Sequence, residues 1–117
     1  MSNSAINKLI WLPENSKSIT LDIRVGMGQS GTITFDVSGG PETVKQGSLR
    51  YTEINSDNLD GQKMNFNVVC TDVNKTNNSL QVTVTLSGVE NDSPWTLSKR
   101  LDEGDSYQFF GTIKFAK

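Results

Sequence analysis

Histidine is absent from the 117 residues of this chain. That removes the commonest general base and the usual metal-ligating imidazole, and with them every Ser-His-Asp or Cys-His arrangement. Cysteine occurs once, as Cys70, so no intrachain disulfide can close and no C-x-x-C zinc or redox site exists. Charge of one sign is not concentrated anywhere: 11 Lys and Arg against 13 Asp and Glu leave a net charge of -2. Without a basic patch there is no electrostatic footprint for a phosphate backbone, and nucleic acid is excluded as an expected partner. Long hydrophobic runs are lacking too. The apolar piece from Leu9 to Leu12 is too short for a membrane span or a signal peptide, and no basic stretch precedes it. The expectation is a soluble chain, cytoplasmic by default, that does not meet a membrane.

What the chain does have is period-two alternation, the mark of strands with one face on a core and the other in water. "SITLDIRV" sets Ile19, Leu21, Ile23 and Val25 on one face, and "TITFDV" does so with Ile33, Phe35 and Val37. "KMNFNVVC" aligns Met64, Phe66, Val68 and Cys70, and "SLQVTVTLS" aligns Leu80, Val82, Val84 and Leu86. Four weaker segments complete the set: "INKLIWL", "SLRYTEI", "PWTLSKRL" and "SYQFFGTIKF". In the last, Phe110 breaks the alternation just before Gly111. A β-bulge at Gly111 would turn Phe110 inward; without one, Phe110 is an exposed aromatic available for contacts.

Turn signals separate these segments at short intervals, and no stretch carries an i, i+3, i+4, i+7 stripe of helical length. The pattern predicts a single all-β domain over residues 1–117, an antiparallel β-sandwich of seven to eight strands. Residues 1–16 read as a loosely attached N-terminal strand. "NKT" at Asn74 and "NNS" at Asn77 match the glycosylation sequon and mark a polar loop.

"RVGMGQSG" spaces Gly26, Gly28 and Gly31 as G-x-G-x-x-G. A dinucleotide site needs a helix after those glycines, to offer free N–H groups to the pyrophosphate. Here the β-branched "TITFDV" follows directly, so the stretch reads as a strand–loop–strand connection whose glycines take positive φ.

The C-terminal "LSKRLDEGDSYQFFGTIKF" resembles the L-x-x-G-[DE]-S element of bacterial immunoglobulin-like domains, carried here by Leu101, Gly104, Asp105 and Ser106. The resemblance covers about the last twenty residues. It implies a sandwich that is immunoglobulin-like in the broad sense, with the Gly-Asp-Ser corner leading into a long aromatic-rich strand.

Candidate sites are few. Asp57 and Asp60 in one loop and Asp102 and Asp105 in another offer the hard oxygen ligands that calcium prefers, although the EF-hand spacing is missing. Calcium is the one cofactor these residues suggest, and it depends on the acidic loops meeting. Their plain reading is solvated loop charge, with Asp60-Gly61 closing a hairpin. Trp95 alternates with Leu97 as a core tryptophan would; exposed, it could instead stack a sugar, with Tyr51, Asn91 and Asp92 supplying further contacts. Trp11 carries the same ambiguity. Cys70, with no histidine to activate it, reads as a buried small hydrophobe.

By exclusion, the expected function is a non-catalytic recognition or structural module that meets a protein partner or further copies of itself. The alternative is a small, calcium-assisted, carbohydrate-binding domain. An enzyme working through carboxylates alone would need Asp102, Glu103 or Asp105 buried opposite another acid.

Overall fold

The structure is a computed structural model that describes residues 3–26, 29–71, 79–89, 94–100, 102 and 104–117, with the backbone alone for residues 3 and 4. Among these residues there are nine strands and no α-helix. The strands are β1 (Asn3–Trp11), β2 (Ile19–Gly26), β3 (Ser30–Val37), β4 (Thr43–Gln46), β5 (Ser48–Glu53), β6 (Lys63–Thr71), β7 (Ser79–Ser87), β8 (Trp95–Arg100) and β9 (Ser106–Ala116). One 3-10 turn, Ser56–Leu59, precedes β6.

Alternation in sequence becomes alternation in burial. The alternating apolar residues of β2, β3, β6, β7 and β9, Val69 and Phe110 apart, face inward and form one continuous core, in which Ile23, Ile33, Val68, Val84 and Phe109 are fully buried. Each such side chain contributes roughly 1.5–3 kcal/mol by leaving water. Cys70 lies in this core, as its place beside Met64, Phe66 and Val68 predicts. The strands form a five-stranded sheet in the order β1-β9-β6-β3-β4 and a four-stranded sheet in the order β5-β2-β7-β8. The all-β, two-sheet arrangement expected from the sequence is therefore present, with nine strands among the described residues where seven to eight are expected. Every pairing is antiparallel except β1 with β9, which is parallel.

Three local expectations change. First, β6 and β9 pair without interruption from Lys63↔Lys114 to Thr71↔Ser106, so there is no bulge at Gly111. Gly111 takes an inward position itself, because the Phe66 ring fills its place: a Cβ there would sit 2.0 Å from Phe66 Cζ. Phe110 consequently points outward and is partly exposed. Second, Gly26 and Gly31 end β2 and begin β3, in different sheets, and neither has positive φ. Gly31 is required for closeness instead, since a Cβ would lie 2.6 Å from a Val25 methyl. Gly28 lies outside the described residues. Third, Asp60-Gly61 closes no hairpin, because β5 and β6 belong to opposite sheets. The chain crosses there through the 3-10 turn, anchored by buried Leu59 and by the buried hydroxyl of Ser56, which accepts the Lys17 N–H at 3.0 Å.

Two features depart from the sequence expectation at the level of elements. Strand β4, "TVKQ", has no alternation and all four residues are exposed. Its strand character comes from pairing with β3 at the sheet edge. Strand β1, expected to be loose, is in register with β9 from Asn3↔Gln108 to Trp11↔Ala116, and Ile10 and Leu12 behind it are buried.

Candidate functional site

Among the described residues, Trp95 is not brought together with Tyr51, nor the Asp57–Asp60 loop with Asp102 and Asp105. Trp95 opens β8 and is 9% exposed, its ring among the core residues with the Lys8 ammonium 5.6 Å from its centre. Its burial fits the core reading and not the alternative of an exposed stacking platform: β8 keeps a period of two, which turns Trp95 inward with Leu97. Its indole Nε1–H has no hydrogen-bond partner among the described residues. Tyr51 sits on β5, half-buried against Phe35 with ring centres 5.0 Å apart, and burial with help from the Glu53 charge pushes its phenol pKa up. Strands β5 and β8 are the two opposite edges of the four-stranded sheet, three spacings or about 14 Å apart. Trp95 and Tyr51 therefore do not share a site. Asn91 and Asp92 lie outside the described residues, as do Glu103, Leu101 and the sequons at Asn74 and Asn77.

The acidic loops do not meet either. The Asp57 carboxylate takes the ammonium of Lys117, and Asp60 Oδ1 accepts the Lys117 backbone N–H at 3.1 Å. Lys117 directly follows β9. Asp105 directly precedes β9, and its N–H bonds the Asp102 carbonyl at 3.1 Å. The eleven residues of β9 separate the two loops by about 33 Å. The Asp57 carboxylate already holds the Lys117 ammonium and Asp60 the Lys117 backbone N–H, and no group of three or more His, Cys, Asp or Glu with metal-binding geometry occurs among the described residues. The four aspartates expected to share calcium are held apart by the length of one strand.

The described surface instead has a polarised sheet face. On the outer side of the five-stranded sheet the register lines up cross-strand rows. One row runs Ala5, Phe110, Asn67, Thr34, Val44. The next runs Asn7, Thr112, Asn65, Asp36 and is tied by hydrogen bonds: Asn65 Nδ2 donates to Asp36 Oδ1 at 3.0 Å, and Thr112 Oγ1 donates to Asn65 Oδ1 at 3.3 Å. The third runs Leu9, Lys114, Lys63. Five of the six exposed large hydrophobic residues lie on this face: Leu9, Trp11, Val44, Val69 and Phe110, Ile54 being the sixth. A shallow groove of about 380 Å³ opens among Asn7, Lys8, Leu9, Lys63, Thr112 and Lys114.

The outer side of the four-stranded sheet differs in kind. Its projecting residues include Thr20, Thr52, Thr83, Thr85, Thr96 and Ser98, with Asp22 bridging Arg24 at 3.0 Å and Arg50 at 2.9 Å. The Arg24 hydrogen bond, against an opposing desolvation and with help from Arg50, holds the Asp22 carboxyl below its ordinary range.

Sequence reasoning reached part of the apolar face. Phe110 and Trp11 stand out as candidates for exposure once the bulge is absent, whereas Leu9, Val44 and the Lys63–Lys114 pair carry no local signal, because only strand order and register place them together. No helix among the described residues is long and apolar enough to cross a membrane. No protein-family model, curated protein or solved structure matches the chain.

Proposed function

We propose that this chain is a non-catalytic recognition module and that its contact surface is the outer face of the five-stranded sheet. One observation carries the reading: among the described residues, five of the six exposed large hydrophobic side chains share that face. A single exposed apolar residue is ordinary, but collecting them on one rigid sheet favours contact with a partner. The row containing Phe110 and Val44, with Val69 beside it, suits a protein surface or a second copy of the chain. The likeness to immunoglobulin domains we propose to be architectural only. Those domains keep A with B, D with E, and F with G in one sheet, whereas this chain stays within a sheet only from β3 to β4 and from β7 to β8.

The test is light scattering across a wide concentration range, on the unaltered chain and on Phe110→Ser. Self-association that Phe110→Ser abolishes and Thr83→Val on the opposite face leaves intact supports the reading. Association sensitive only to Thr83→Val would assign contact to the wrong face and overturn it.

A carbohydrate reading is favoured by a different observation. Trp11 is 57% exposed on the same face, beside the row of Leu9, Lys114 and Lys63, with the amide and hydroxyl row of Asn7 and Thr112 beyond it. That reading no longer involves Trp95 and Tyr51, and it needs no calcium.

A further inference from the structure

The Trp11 end of this face has a charge pattern that the rest lacks. Lys63 and Lys114 are direct register partners, so two ammonium-bearing chains stand opposite each other on one side of an antiparallel pair. Like charges so placed repel. Neither ammonium is ion-paired among the described residues, whose salt bridges lie at Asp22 and Asp57. No carboxylate lines the groove between them. The acid in the adjoining row, Asp36, stands on β3 outside the groove's lining. The groove is therefore locally positive in a chain of net charge -2.

Its other walls are of two kinds. Leu9 lies beside Lys114 in the lining, and Trp11, outside the lining, projects from the same face two residues further, about 7 Å along the strand. In the adjoining row Asn7 and Thr112 offer an amide and a hydroxyl. Leu9, a cationic pair and neutral hydrogen-bonding groups thus line one shallow depression, with Trp11 exposed beyond its Leu9 end.

We propose that this groove is a binding subsite for an acidic saccharide. The apolar face of the sugar ring lies on Leu9 and Trp11, its carboxylate or sulfate sits between Lys63 and Lys114, and its hydroxyls meet Asn7 and Thr112. An anion there removes the lysine repulsion, which gives the ligand a charge preference. An acidic peptide would also satisfy the lysines, but extended peptides gain their affinity from main-chain pairing at a free sheet edge. The lysines stand on interior strands β9 and β6, so a peptide pairing with the free edge of β1 would run two and three strand spacings, about 10 and 14 Å, away from them. The proposal rests on the carbohydrate reading of this face.

The test is calorimetric titration of the chain with a uronate oligosaccharide, a sulfated oligosaccharide, a neutral glucose oligosaccharide and a poly-glutamate peptide, at low and high salt. The expected result is binding of the acidic saccharides that weakens with salt. It should fall about tenfold or more in Lys63→Gln/Lys114→Gln and in Trp11→Ala, and stay unchanged in Lys45→Gln on the far edge strand. All these side chains are exposed, and circular dichroism of each variant verifies the fold. Neutral and acidic sugars binding equally, with loss only in Trp11→Ala, would overturn the anionic subsite and keep the carbohydrate reading. Binding of poly-glutamate alone would replace the saccharide with a peptide, and no binding by any probe would remove both.

Discussion

At Gly111 the ring of Phe66 occupies the volume that any side chain would need. Gly111→Ala should cost about 1–3 kcal/mol by overpacking, read as a lower denaturant midpoint at unchanged slope, and Phe66→Leu in the same chain should recover part of it. Cys70 offers a second test. Burial pushes its thiol from 9.0 up to about 11. The unfolded thiol loses its proton first, so stability is full below about pH 9 and declines as pH rises toward 11, by on the order of 2 kcal/mol. Cys70→Ala should flatten that part of the alkaline profile, and the native thiol should resist alkylation at pH 8 until the chain unfolds. Asp22 has the opposite sign. Its lowered carboxyl pKa contributes stability present above the unfolded value and lost as pH falls through the folded one. Asp22→Asn should weaken the acid limb by no more than about 1 kcal/mol, because both arginines are well exposed. Residue placement inside strands was legible from the sequence, Cys70 and Phe109 included, since alternation decides which side chain is buried. Gly111 was not, because its reason for being glycine lies on a strand forty-five positions away.

Strands with strong alternation, β2, β3, β6 and β7, could be read directly. Each carries at least three apolar residues at every second position. Strand β4 could not, since its exposed residues bury nothing and its identity comes from a neighbour. Strand β1 reads as weak for a related reason. Lysine and asparagine interrupt its apolar residues, yet Ile10 and Leu12 close one side of the core and the whole strand finds β9. Ile10→Ala should therefore cost about 2–5 kcal/mol in equilibrium unfolding, the range of a fully buried aliphatic residue, while Trp11→Ala on the outer face should change stability little. A cost for Ile10→Ala near zero would mean that β1 is only loosely docked.

At the scale of the molecule, the sequence conveys that strands exist and which residues they bury, but not which strands are neighbours. The two-sheet architecture follows from the first; the face bearing Leu9, Trp11, Phe110 and the paired lysines depends on the second. The same limit applies to the acidic loops, whose convergence hinged on topology. Since Asp57 and Asp60 hold Lys117 and the other loop lies a strand-length away, adding calcium or chelator should leave the melting temperature unchanged; a calcium-dependent rise would reveal a site involving other residues. The parallel pairing of β1 with β9 has one more consequence. The strands lie side by side with the beginning of β1 and the end of β9 at opposite tips. Tension drawn through the two chain ends would slide one strand along the other, loading the nine register positions together instead of peeling them apart singly. The domain should resist end-to-end extension more stubbornly than its small size suggests, with a rupture force in single-molecule pulling that drops when Ile10→Ala loosens the first strand.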